Sequence, residues 1–473
     1  MIDLIVLNLT CPGISTYTPS WVKMDEKRFP RASLRKAGGV LQTAEVISLF
    51  AGETVTADSK AFSTLMRHLK EIDAQHNTVI MVQVENESGL LGDSRDGSAA
   101  AEKAFQQDVP SELIQFFNND WDNLHTDLKT TLSSHFKQQD QSTGAWEQVF
   151  GKGPRTDELF MAYNYAKYVE RVAAAGKAEY PLPFYVNVWQ NYADEDSDNN
   201  WPVVAGGGGV PGDYPSGGAV RNVFDIWMHF APNLDFIAPD VYLNDYAVSC
   251  AAYRHRGQPL FIPEQRRDEY GARRIWTAYA TYQALGVAPF GIDTLEPETS
   301  PFTKQYKLLE EVQEIVLQAQ RTRNAAQGFF FDEWEEGAGA DPQYIFKMGG
   351  FEVLIQRSFV FGKPGPGGGM IVHTSGEGKT ATFLLIGCGF QAVFKSLSSK
   401  SHFTGILSMS EKKVVNKDTG ELKTVRKLGG DETRSGASAI MPNATPDYGG
   451  FPICVTVPAE TMIAEVVAYC LEH

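Results

Sequence analysis

Two carboxylates that close apolar runs carry the chemistry this chain has to offer. The stretch Thr78-Val-Ile-Met-Val-Gln-Val-Glu-Asn-Glu87 is almost continuously apolar and ends in a carboxamide between two acids. Pro259-Leu-Phe-Ile-Pro-Glu264 is shorter and ends the same way. Apolar runs with β-branched residues read as strands buried on both faces, as in parallel sheets covered by helices. In a barrel of such strands the chemistry gathers at the carboxyl ends, which would bring Asn86, Glu87 and Glu264 to one mouth. A pair of carboxylates there suits glycoside hydrolysis, in which one protonates the leaving oxygen while the other attacks or supports the anomeric carbon. A salt-bridged strand end is the simpler account of Glu85 and Glu87 alone. It leaves the matching end at Glu264 unexplained, and Glu85 is kept outside the chemistry.

The elements that must position these groups alternate along the chain. Asp58 opens a helical pattern with Ala61, Leu65, Leu69 and Ile72, leading into the strand that ends at Glu87. Residues 88–154 read as an insertion with helical patterns around Ala99–Phe117 and Trp121–Phe136, the kind of excursion on which barrel enzymes build specificity. Arg95 and Asp96 within it could touch substrate, but the preferred reading is a structural ion pair. Then follow a helix over Asp157–Ala178, a strand over Pro183–Trp189, a helix over Val220–Phe230 and a strand over Leu234–Tyr242. A short helix around Ala247–Arg256, the strand ending at Glu264, a helix over Ala272–Leu285, a strand over Val287–Asp293 and a helix from Phe302 to Ala319 complete the alternation. The Gly/Pro-rich segment from Gly206 to Gly218 lacks the ending of a phosphate-binding loop and reads as a mobile loop over a pocket. The opening run from Met1 to Leu9 reads as a further strand, followed by an irregular segment from Ser15 to Gly39.

Beyond Gly328 the texture changes to short alternating runs, Tyr344–Met348, Phe351–Gln356, Ile371–Thr374, Thr382–Ile386 and Ile453–Val457, broken by Gly and Pro. This spacing suggests an all-β sandwich, with Glu411–Thr433 as an exposed loop. The expected fold is therefore α/β: a (β/α)8 barrel short of its first strands over residues 1–325, then a β-sandwich domain over 326–473.

Composition narrows the function classes. With 43% hydrophobic and 21% charged residues the chain is an ordinary globular protein. A formal charge of −16 argues against nucleic acid and anionic membrane surfaces, which are bound through basic patches. Five scattered cysteines without a CxxC pair suit free thiols in a reducing compartment. Nine histidines without HExxH or HxxxH spacing lend a zinc site little support. No apolar run reaches the roughly 18 residues of a membrane span, and the first residues lack the basic flank of a signal peptide. The expectation is a cytoplasmic protein.

At this point the residues resemble a known family. Gln83-Val-Glu-Asn-Glu87 is similar to the acid/base strand of clan A glycoside hydrolases, particularly the β-galactosidases of families 35 and 42. Tyr17-Thr-Pro-Ser-Trp-Val-Lys23, Arg28-Phe-Pro-Arg31, Val84-Glu-Asn-Glu-Ser-Gly-Leu-Leu-Gly-Asp-Ser-Arg95 and Phe261-Ile-Pro-Glu264 resemble a microbial and fungal subgroup with a C-terminal β domain. The likeness spans most of residues 15–330. It implies Glu87 as general acid/base at the end of the fourth barrel strand and Glu264 as nucleophile at the end of the seventh. Asn86 would hydrogen-bond the sugar 2-hydroxyl, and Tyr242 would orient or shield the nucleophile. Retaining chemistry then implies carboxyl groups about 5–5.5 Å apart. Glu87 must carry a proton near neutral pH while Glu264 stays ionised, so each needs its own environment. Trp189, Trp201 and Tyr214 offer flat faces for sugar rings, with simple packing as the equal alternative, and Asn187 could reach a hydroxyl.

The implied substrate is a β-galactoside or related oligosaccharide, with no cofactor, no metal, no nucleic acid and no membrane; homo-oligomerisation is left open. By the resemblance, the first barrel strands would precede the residues read here, and the chain is expected to enter near the end of the third. Two alternatives stand beside a retaining β-galactosidase: another β-glycoside specificity of the same clan, and an inactive, truncated carbohydrate-binding protein.

Overall fold

The computed structural model describes residues 18–137, 143–191, 208–322, 324–336, 341–358, 361–452 and 456–473. The strand expected at Met1–Leu9, Trp201, and most of the run Ile453–Val457 lie outside these residues. Two compact units divide at Pro263/Glu264.

In the first unit, β1 (Arg31–Lys36) and β2 (Val40–Ile47) form an antiparallel hairpin inside and beyond a stretch expected to be irregular. Gly38 and Gly39 supply the positive φ values, 78° and 75°, that turn it. Parallel strands follow: β3 (Val82–Gln83), β4 (Phe184–Trp189) and β5 (Phe236–Val241), with β4 and β5 buried almost throughout. β6 (Phe261–Gln265) contains the boundary between the units, and β7 (Gly286–Pro289) follows in the second. Within the first unit β3, β4 and β5 pair in that order, each pair parallel. The α/β expectation holds at this level.

The two long helices of the first unit bury different amounts: Pro154–Glu179 is buried on every side over Thr156–Ala162, the other along one stripe. Gly52–Asp73 turns Val55, Phe62, Met66 and Leu69 inward, at helical spacing. It lies against Pro154–Glu179, which begins with Pro at its first turn. The Phe62 ring crosses at Gly176, where an added Cβ would sit 2.2 Å from Phe62 Cε1. The same ring meets Phe184 edge to face at 5.2 Å, so one aromatic joins both helices to β4.

Three expected elements change form. The long run from Thr78 is a strand only at Val82–Gln83. The Asp73 carboxylate takes the N–H groups of Thr78 and Val79 at 3.1 and 2.8 Å, ending the helix instead of starting a ladder. At the other end Glu85 and Glu87 leave the extended region altogether. The helix expected at Ala272–Leu285 is α-helical over Glu269–Trp276 and a π turn over Thr277–Thr281. That from Phe302 breaks at Val312 into Pro301–Glu311 and Gln313–Arg321.

The second unit continues with antiparallel strands β8 (Ala326–Phe331), β9 (Tyr344–Met348), β10 (Phe351–Arg357), β11 (Gly367–Glu377), β12 (Thr380–Cys388), β13 (Phe390–Ser396), β14 (Ser401–Asn416), β15 (Glu421–Leu428), β16 (Ala439–Met441) and β17 (Ile463–Glu472). Their orders are β16-β13-β10-β9 and β15-β14-β17-β12-β11-β8. One core joins the two sheets, with Val353, Ile355, Phe390 and Phe394 from the first and Ile371, Phe383, Leu385 and Val466 from the second. β10 alternates buried and half-buried along its whole length, the period of a strand with one face inward.

The segment Glu411–Thr433 corrects the expectation of a loop: it closes the β14–β15 hairpin, Lys413 standing opposite Lys423 in the register. Charged and β-branched residues on an edge strand hide the alternation that marks a half-buried one. Among the described residues no helix is long and apolar enough to cross a membrane, and Cys250, Cys388 and Cys470 are free thiols.

Candidate active site

The end of β3 is held by carboxamides. Asn187, the fourth residue of β4, is 2% exposed. Its Oδ1 accepts the Glu87 N–H at 2.9 Å. Its Nδ2 donates to Asn86 Oδ1 at 3.0 Å and to Asp240 Oδ2 at 2.8 Å. Gln83 Nε2 gives Asn86 Oδ1 a second donor at 3.1 Å. Asp240, in β5, is 2% exposed, and its backbone oxygen accepts from Gln190 Nε2 at 2.8 Å. Parallel register places Trp189 opposite Asp240 and Asn187 opposite Ala238, so these groups crowd the carboxyl ends of neighbouring strands.

Glu87 takes φ 44° and Glu85 φ 63°, left-handed values that non-glycine residues rarely adopt. The chain therefore turns sharply at the motif, leaving Asn86 and Glu87 half-buried and Glu85 buried. Such strain clusters where surrounding structure over-determines a functional position. Burial drives the Glu85 carboxyl well above the ordinary carboxylate range, and the nearby Asp58 charge adds to the shift. Asp58 is raised too, chiefly by burial, while the hydroxyl of Tyr168 donates to it and opposes the shift.

The expected site residues thus fall into three groups. Asn86, Glu87 and Asn187 come together in the first unit. Trp189 ends β4 half-buried, and Tyr242 follows β5 half-buried. Glu264 opens the second unit as the fourth residue of β6, half-buried between buried Pro263 and Gln265. Gln265 is fixed by its Nε2 bond to Gly271 O at 3.1 Å, and its backbone oxygen accepts the Phe290 N–H at 3.0 Å. Within the first unit the carboxylates of Glu87 and Asp240 come within 4.8 Å of each other.

Tyr214 does not offer a sugar-stacking face. It is 0% exposed, and its hydroxyl accepts from Arg155 Nη1 at 2.8 Å and donates to Glu158 Oε1 at 2.5 Å. Glu158 is itself raised by burial, with Arg155 and Tyr214 pulling the other way. The glycine-rich segment around Tyr214 is likewise fastened where it is described. Ser216 and Leu90 exchange backbone hydrogen bonds at 2.9 and 3.0 Å, and Gly92 N–H reaches Gly212 O at 2.8 Å. Its residues from Tyr214 to Gly218 are buried, which replaces the expectation of a mobile loop.

Arg95 and Asp96 do not pair through their side chains. Arg95 bonds Asp157 and Glu102 at 3.0 and 2.7 Å, while Asp96 accepts from Ser33 N–H, the Ser48 hydroxyl and Ser98 N–H. Both brace the start of the insertion.

Sequence reasoning passed over Gln83 and Asp240. Asp240 had a usable signal: a lone carboxylate inside the apolar run Phe236–Val241, the same cue that marks Glu87 and Glu264.

A family model described as "Domain of unknown function (DUF5597)" matches residues 302–440. No curated protein matches the chain. Among solved structures the chain is similar to the β-galactosidase of the psychrophilic Marinomonas ef1, at 12% identity and TM-score 0.38, over 63% of this chain and 48% of that one. It is similar to the catalytic domain of the Paenibacillus polymyxa β-amylase, at 11% and 0.39, over 66% and 81%. A GH42 β-galactosidase from G. stearothermophilus aligns at 11% and 0.38, over 96% and 87%. The chain spans about half the length of the first of these.

Proposed function

We propose that this chain is a retaining glycoside hydrolase acting on terminal β-D-galactosides by double displacement. Glu87 serves as general acid and then base, and Glu264 as the nucleophile. The observation that carries the reading is the Asn86–Glu87 turn: a half-buried acid beside a carboxamide at the carboxyl end of a parallel strand, its N–H held by a buried asparagine. Asn86 meets the sugar 2-hydroxyl. Tyr242 orients the nucleophile, and the half-buried ring of Trp189 stacks on the sugar.

Hydrolysis of an aryl β-D-galactoside tests the reading directly, with proton NMR following the anomer first released. The β-anomer of galactose supports double displacement, and the α-anomer rules it out. A 2-deoxy-2-fluoro galactoside with a good leaving group should label Glu264, located by peptide mass spectrometry. A second reading keeps the mechanism and changes the sugar, because an aromatic face such as Trp189 can take the apolar C–H face of more than one sugar. A panel of aryl β-glycosides separates the two. A silent wild-type chain across that panel would leave the carbohydrate-binding alternative.

A further inference from the structure

Asn187 is a switch with two settings, because a carboxamide can turn end for end. In one setting Oδ1 receives the Glu87 N–H at 2.9 Å, and Nδ2 spends its two hydrogens on Asn86 Oδ1 and Asp240 Oδ2. In the other, an NH2 would face the Glu87 N–H, and an oxygen would face the Asp240 carboxylate. An ionised carboxylate accepts only, so it admits one setting and rejects the other.

The choice propagates. Once Asn187 donates to Asn86 Oδ1, and Gln83 Nε2 does so as well at 3.1 Å, that oxygen is fully engaged. What Asn86 has left for a ligand is its Nδ2, a donor, which meets no acceptor among the described residues. The left-handed turn at Glu87 is pinned by the same amide.

We infer that Asp240 is a positioning residue: through Asn187 it fixes the backbone that carries Glu87 and makes Asn86 present a hydrogen-bond donor to the substrate hydroxyl. This rests on the glycosidase reading for its consequence in catalysis, and on the hydrogen-bond geometry alone for its consequence in structure. Asp240 touches no substrate in this role.

Two variants test it, each with its own readout. Asn187→Asp sets two carboxylates against each other at Asp240 until one of them takes a proton, whereupon the introduced carboxyl, once protonated, again donates to Asp240 while accepting from Glu87. Its kcat should fall about 10²-fold relative to wild type at pH 8, as expected for a misplaced catalytic group, and the deficit should narrow as pH falls toward 5. Asp240→Ala should speed hydrogen exchange, measured by mass spectrometry, in the peptide spanning Val84–Gly89 and leave the second unit's β strands unchanged. A deficit that is the same at every pH, or unchanged exchange in that peptide, overturns the proposal. If wild type hydrolyses no glycoside, faster exchange still upholds the positioning role while the glycosidase reading falls; unchanged exchange then overturns both.

Discussion

Glu85 and Glu87 are two residues apart and both take left-handed backbone, at φ 63° and 44°, yet one is buried and the other half-buried. Two successive strained acids bracket Asn86. The same turn therefore separates a carboxyl that stays inside from one that is half-exposed, and the second is the acid of the proposed mechanism.

The inner acid gives a pH prediction. Burial first, and the Asp58 charge second, hold the Glu85 pKa well above its ordinary value. The stabilising proton is present in folded and unfolded chains alike below the unfolded value of about 4.3, and the stability it carries is lost as pH rises through the folded value. Glu85→Gln keeps the shape and abolishes the charge. Its Tm should exceed that of wild type at pH 8, by about 2 °C or more, and the difference should vanish near pH 4. Calorimetry at both values checks this; an equal gap at both would sink it.

The outer acid gives a kinetic one. Glu87→Gln should lower hydrolysis of an alkyl β-galactoside by about 10²–10⁴-fold, the usual span for removing a general acid. A dinitrophenyl leaving group needs no proton, so its first step should be slowed far less. Stopped-flow release of dinitrophenol separates that step from turnover, and equal losses with both substrates would remove Glu87 from the acid role.

Gly217 links the fastened glycine segment to the long helix beneath it. Its φ is 82°, and an added Cβ would lie 2.5 Å from Met161 Cβ. Gly217→Ala should therefore destabilise the first unit by about 2–3 kcal/mol, combining backbone strain with overpacking. Urea unfolding followed by tryptophan fluorescence reads the loss, since Trp227 Nε1 donates to Gly217 O at 3.0 Å.

In the second unit Phe383→Ala empties a core position. Phe383 is 0% exposed and lies in the core shared by the two antiparallel sheets, within 5.1 Å of the Phe394 ring. The expected loss is about 3–5 kcal/mol, read as a shift in the unfolding midpoint.

The parallel strands were legible because burial on both faces leaves runs that are apolar but for one residue each, Asn187 in Phe184–Val188 and Asp240 in Phe236–Val241. The carboxylates at Glu87 and Glu264 were legible for the same reason, as charges interrupting such runs. What escaped was set by particular side-chain contacts, some local and some distant in sequence, that periodicity does not record. Asp73 shortens the strand before Glu87 by capturing two backbone N–H groups. Tyr214 looks like a surface aromatic among glycines, yet Arg155 and Glu158 draw it inside. Asp240 takes its meaning only from Asn187, one strand away. The β14–β15 hairpin reads as a loop because charged residues crowd its exposed face, although Leu422, Arg426 and Leu428 are half-buried on the other.

That hairpin bears on how the chain behaves when concentrated. β15 is the free margin of a six-stranded sheet, the place where another molecule's strand could add and seed a growing stack. Lys413 and Lys423 stand directly opposite each other there, and Lys427 is exposed on the same outer strand. An incoming copy would have to lay its own lysines onto these, and like charges facing across a ladder repel. Charge on this margin therefore works against a seventh strand supplied by a second copy in the same register.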